Sequence, residues 1–252
     1  MSILEFVRAR RPWGRRRREV SERGAMVGGL DGCRGGWVLA TGQVGTDIPV
    51  MVEVIAGFGE ALARVQAGDL DAVAVDMPIG LTDLQPRRCD GEARARLGTR
   101  HSSVFPAPLR GLLDVASWDE ALALNRELTG KGISRQAFGI LPKVREVDQV
   151  ITPEVQDRIV EAHPEVSFAL LAGGPMAHSK RSPAGRAERL AALVGPFSDV
   201  TKATGQQLRG AAPDDVLDAY ALLWTASRWV RGEAVVLGGE RDARGLRMEI
   251  VA

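Results

Sequence analysis

The sequence predicts an α/β fold: a mixed five-stranded sheet flanked by helices, with a helical insertion after the fourth strand. Three observations predict it. Two short apolar runs each end in an aspartate, Val27-Gly28-Gly29-Leu30-Asp31 and Ala72-Val73-Ala74-Val75-Asp76. Gly or another turn-former follows each acid closely, which puts the carboxylates at strand exits. Between these runs lie two more extended segments and one segment of helical spacing, so the later run returns parallel to an earlier strand by a crossover.

The elements follow in order. After Asp31 a glycine-rich turn with Arg34 leads into Trp37-Val38-Leu39-Ala40, and Val50-Met51-Val52-Glu53-Val54-Ile55 is the third strand. Tight connections make these three an antiparallel meander. Residues 58–65 carry Phe58, Leu62 and Val65 at helical spacing, forming the first crossover helix. The strand ending at Asp76 then lies beside the first, which is the ribonuclease-H-like order. Residues 82–150 form the insertion, with a turn-rich loop over 102–108 and helices over 118–128 and 134–147. Residues 158–163 are the fifth strand, stopped by Pro164, which opens a short helix to Leu171. Pro183 opens a helix over 184–193. Pro213 starts the last long helix, with Val216, Leu217, Tyr220, Leu223, Trp224 and Ser227 spaced to face a sheet. A terminal strand pair is expected over 234–237 and 246–250. No internal repeat interrupts this order.

Composition bounds the class. The chain of 252 residues is 45% hydrophobic, enough for one full α/β core. No apolar run approaches the roughly 18 residues of a membrane span, and no h-region follows the N-terminal arginines. Two cysteines, Cys33 and Cys89, cannot build a disulfide framework, so two partly buried thiols in a reducing cytoplasm are expected. Residues 1–25 hold eight arginines against three glutamates, an excess of five positive charges, while the whole chain is only +1. This arm is either a basic tail that grips phosphates or precedes the true start at Met26. The second reading is preferred, because Met26 abuts the first strand. The five tryptophans leave a homodimer face open.

Asp31 and Asp76 carry the chemistry. One such Asp would be read as a turn cap. Two at matched strand ends of adjacent parallel strands repel each other and invite a divalent cation. Asp214, Asp215 and Asp218 open the last helix, and spacings of three and four stack two of them on one face. Asp214 fits a helix-dipole role. Asp218 lies among apolar neighbours, where an unpartnered acid is costly, so Asp218 or Asp215 is the expected further ligand. Glu161 and Glu165 flank His163-Pro164, and either completes a carboxylate cluster for paired Mg²⁺ or Mn²⁺ ions. His163 is expected to be structural, and His101, His163 and His178 lack the spacing of a zinc site. Arg34, Arg100 and Lys180 are the expected phosphate contacts.

Several segments resemble the domain of unknown function 429 family, prokaryotic proteins predicted to be nucleases of ribonuclease-H fold. The motifs are residues 29–37 around Asp31, Asp76-Met77-Pro78-Ile79-Gly80-Leu81, residues 100–108, Leu141-Pro142-Lys143-Val144, His163-Pro164-Glu165-Val166-Ser167-Phe168 and Asp214-Asp215-Val216-Leu217-Asp218-Ala219. The likeness runs from Met26 to Ala252. His163 stands where relatives often have an aromatic residue. Holliday-junction resolvases are similar in placing acids on strands one and four and two acids three apart on the last helix. The resemblance implies a nuclease whose catalytic acids are Asp31, Asp76, Glu165, Asp215 and Asp218. Asp31, Asp76, Asp215 and Asp218 would be the metal ligands, and nucleic acid, DNA or RNA, the substrate.

Two other classes remain open. The glycine-rich turn after Asp31 is similar to the first phosphate loop of actin-like ATPases, but no second loop of that type follows. A non-catalytic nucleic-acid or protein-binding domain would bind no Mn²⁺. The net negative charge beyond the arm disfavours a purely electrostatic nucleic-acid binder.

Overall fold

A computed structural model describes residues 24–252. The arginines of the basic arm, all at or before Arg23, lie outside the described residues. Five strands form the main sheet: β1 (Met26–Cys33), β2 (Gly36–Gln43), β3 (Met51–Ile55), β4 (Ala72–Val75) and β5 (Ile159–Glu161). Their order is β3-β2-β1-β4-β5. The first three pair antiparallel, and β4 pairs parallel with β1 and with β5. This is the mixed sheet expected from the sequence. The crossover between β3 and β4 is α1 (Phe58–Ala67), which buries Phe58, Ala61, Leu62 and Val65 on one face.

The insertion after β4 contains α2 (Arg88–Leu97), two 3₁₀ turns (Gly98–Ser103 and Arg110–Asp114), α3 (Trp118–Thr129) and α4 (Arg135–Val150). Ser117 and Ser134 cap α3 and α4 by accepting the Glu120 and Ala137 amides. The remaining helices are α5 (Pro164–Leu171), α6 (Pro183–Val194), α7 (Val200–Thr204) and α8 (Pro213–Arg231). Prolines at the first turn of α5, α6 and α8 mark their starts, as the sequence predicts. The terminal hairpin, β6 (Val236–Arg241) and β7 (Arg247–Val251), is a separate two-stranded sheet, set one to four residues later than expected. β5 is half the expected length, and β1 continues two residues past Asp31 because Gly32 and Cys33 still pair with Trp37 and Gly36.

Side-chain alternation splits the core in two. Val27, Val38, Ala40, Ala72, Ala74 and Val160 face one side, packed under α8 and α5. Leu30, Leu39, Val73, Val75 and Ile159 face the other, with α1 and α4. The α8 side is lined by small residues, and at Gly29 the strand has no side chain at all. A Cβ there would lie 2.9 Å from the Leu222 carbonyl carbon and closer still to backbone atoms of Ala219 and Leu223. Helix α8 therefore rests directly on the backbone of β1, and this contact brings the start of the helix to the end of the strand.

Candidate active site

The parallel register of β1 with β4 runs Val27↔Ala72 to Leu30↔Val75, and the Asp76 amide extends it by donating to the Leu30 carbonyl at 3.0 Å. Asp31 and Asp76 are thus the next rung, side by side. Leu30 and Val75 belong to the α4 side, so alternation turns both acids toward α8. There Asp218, early in the helix and 1% exposed, lines the same cleft and its charge acts on Asp31. Lys180 reaches in from the loop before α6, and its Nζ donates to Asp218 Oδ2 at 2.6 Å. Asp218 Oδ1 has no hydrogen-bond partner although it is buried.

The electrostatics follow from this crowding. Burial pushes the Asp31 carboxyl well above the usual carboxylate range, and the charges of Asp218 and Asp76 push it further. Burial likewise lifts Asp218 to about 6, opposed by the Lys180 ammonium. Desolvation disfavours the Lys180 charge, but Asp218, then Asp31 and Asp76, outweigh it and hold the lysine protonated well above its ordinary value. Three carboxylates with one ammonium among them are short of positive charge.

These groups form the floor of a cleft of about 710 Å³. The insertion supplies one wall. Arg100, Ser102, Ser103 and Phe105 come from the segment after α2, and Lys143 comes from α4. Arg100 Nε is buried without a partner. Lys143 Nζ donates to the Gly36 carbonyl at 2.5 Å and sits over the Trp37 ring at 4.3 Å, so its charge is held at the rim. Phe105 and Pro106 are exposed at the same rim.

The other expected residues separate. Asp215 lines the cleft, but its Oδ2 accepts the Ala212 amide at 2.8 Å, so this carboxylate caps its own helix. Burial raises it from its ordinary value. Glu165 is buried in the first turn of α5, where Oε1 takes Arg189 Nη2 at 2.5 Å and Oε2 is left unpartnered. Glu161 turns to the opposite face of the sheet from Asp31 and pairs there with Arg87. Arg34 is exposed on the β1–β2 turn and is not among the cleft-lining residues, so of the three expected phosphate contacts only Arg100 and Lys180 reach the cleft. His163 lines the cleft with both ring nitrogens engaged: Nδ1 accepts the Glu165 amide, and Nε2 lies 3.2 Å from the Ser103 carbonyl. Cys33 and Cys89 are buried free thiols.

Sequence reasoning did not assign the buried ion triad that lines part of the cleft. Arg87 donates to Asp90 and Glu161, each at 2.6 Å, with all three side chains at most 6% exposed. Burial lifts Glu161 to about 7 even though the Arg87 charge and hydrogen bonds pull it down. Asp90 also takes the Ala107 amide at 2.8 Å, so the triad ties the cleft wall to β5. Nor was Lys143 assigned a role. Its signal was its place in the Leu141-Pro142-Lys143-Val144 motif, on a helix that also carries Arg135 and Arg145.

The donor set fits a hard divalent cation in kind. It consists of carboxylates, and Asp218 Oδ1 and Glu165 Oε2 are buried oxygens that still lack a positive or donating partner. Asp31, Asp76 and Asp218, which line one cleft and whose charges act on one another, are the candidates to hold it. Among the described residues, no three His, Cys, Asp or Glu side chains are already gathered into a metal-holding cluster. Lys180 occupies one of the Asp218 oxygens.

No curated protein and no solved structure matches the chain. One protein family does, over residues 29–243, which run from within β1 to the turn beyond β6 and take in every residue of the carboxylate floor. The chain belongs to the family described as Protein of unknown function (DUF429).

Proposed function

We propose that this protein is a divalent-metal-dependent phosphodiester hydrolase acting on nucleic acid. One observation carries the reading: Asp31, Asp76 and Asp218, from two strands and a helix, line one cation-rimmed cleft, and their charges act on one another. Burying Asp31 and Asp218 beside the half-buried Asp76 is costly unless a cation answers them. A bound Mg²⁺ or Mn²⁺ would supply Lewis acidity and an activated water.

The chain's own groups account for the rest. Asp31, Asp76 and Asp218 would hold the ion. Arg100, with its unpartnered Nε, offers a donor to a phosphate oxygen. Lys143 adds positive charge on the same rim. Phe105, 38% exposed at the rim, offers a face on which a base could stack. The two buried thiols suit a reducing cytoplasm.

The test is incubation of the full chain with Mn²⁺ and labelled single strands, duplexes, RNA–DNA hybrids and junctions. Asp31→Asn runs alongside to expose contaminating nuclease. Cleavage that disappears in Asp31→Asn supports the reading and names the substrate. Equal products from both proteins, with each shown to be folded, would refute it.

A further inference from the structure

We propose that Lys180 is the resident second cation of this site, so that the loaded cluster takes one divalent ion and not two. The inference rests on the metal-dependent reading above and deepens it. Lys180 Nζ is 2.6 Å from Asp218 Oδ2, and its charge acts on Asp31 and Asp76 as well. It leaves Asp218 Oδ1 buried and unpartnered, so one oxygen of that carboxylate is taken and the other is available to an ion.

The loop that delivers this ammonium is built to hold it. Glu188, on α6, accepts the Ala177 and His178 amides at 2.7 and 3.0 Å. Arg189, fully buried, donates to the His178 carbonyl at 3.2 Å while pairing with Glu165. Ser182 donates twice to the Ser179 carbonyl, through its amide at 2.9 Å and its hydroxyl at 2.8 Å, and then caps α6. Gly185 is required for the approach, since a Cβ there would stand 2.6 Å from the Ser179 carbonyl carbon and overlap its oxygen. A surface lysine making a chance ion pair has no such mount.

Charge balance points the same way. Glu165 is already neutralised by Arg189, and Asp215, which caps its helix, lies within reach of a further cation, Lys143, that answers its charge. Asp31, Asp76 and Asp218 bring three negative charges, and Lys180 answers one. The two that remain match a single divalent ion. A second ion would leave the cluster, whose Asp31 and Asp218 are buried, with an excess of two positive charges, which burial disfavours.

Counting Mn²⁺ bound at saturation by equilibrium dialysis of the full chain tests this without reference to activity. The wild type and Lys180→Arg, which keeps the charge, are expected to bind one ion. Lys180→Met, which keeps the length and removes the charge, is expected to bind two. Two ions in the wild type, or one in folded Lys180→Met, would overturn the proposal while leaving the metal-dependent hydrolase intact. If Lys180→Met does not fold, the wild-type and Lys180→Arg counts decide alone. No ion bound by any of the three proteins would instead sink the metal-dependent reading itself.

Discussion

Replacing Gly29 by alanine should destabilise the protein severely, whereas the same change at neighbouring Gly28 should be nearly neutral. The added Cβ at Gly29 would stand 2.9 Å from the Leu222 carbonyl carbon and nearer still to the Ala219 oxygen and Leu223 nitrogen, where ordinary contact begins at 3.4 Å. Every one of these is backbone, in a central strand on one side and a buried helix on the other, so no rotamer change relieves the overlap. Overpacking costs about 1–3 kcal/mol, and a backbone-to-backbone clash belongs at the upper end. Losing glycine's unfolded-state entropy returns about 0.4–1 kcal/mol. The net is roughly 2–3 kcal/mol, or a fall in Tm of about 4–12 °C for a domain of this size. At Gly28 the nearest atoms are side-chain methyls of Leu39 and Val73 at 3.1 and 3.2 Å, which can give by a few tenths of an ångström. Urea unfolding and thermal melts of both variants measure the contrast. Because α8 carries Asp218, Gly29→Ala should also weaken Mn²⁺ binding. A Gly29→Ala protein melting within about 2 °C of wild type, or a Gly28→Ala protein damaged as badly, would refute the argument that α8 sits on bare backbone.

Two further outcomes are expected. Arg87→Met should cost about 3–5 kcal/mol in urea unfolding, since Asp90 and Glu161 would be left buried and unpaired; adding Glu161→Gln should recover part of that loss. The metal-free protein should become less stable as pH rises from 4 to 7. Burial holds Asp218 at about 6 against an ordinary 3.8, so native Asp218 binds its proton more tightly than unfolded Asp218. That contribution is complete below the unfolded value and is lost as pH climbs through the folded one, a change on the order of 3 kcal/mol. Thermal melts of wild type and Asp218→Asn at pH 5 and 7.5 check it: a pH slope no smaller in Asp218→Asn would assign the effect to other groups.

Much of the molecule could be read directly from residue order. The sheet was legible because apolar runs of period two are separated by connections too short for anything but a meander, and then by one helix-length crossover. Asp31 and Asp76 were legible as a pair because each follows its apolar run at the same offset, and parallel pairing converts equal offsets into adjacency. Helix α2 was not legible: its apolar residues are sparse, and its buried face includes Asp90. Nor could Glu161 and Glu165 be told apart as candidates. In a strand of three residues, one step of alternation sends Glu161 to the face opposite Asp31, and no periodicity is long enough to show it. Asp215 and Asp218 shared one spacing, and only the placement of the helix start made one a cap and the other a floor residue. The sequence by itself determined which strands pair and which two acids share an edge, since local pattern and chain connectivity suffice for both. Only the tertiary structure decided which charges meet, because Lys180 and Asp218, 38 residues apart, and Arg87 and Glu161, 74 apart, are joined by packing that no local spacing encodes.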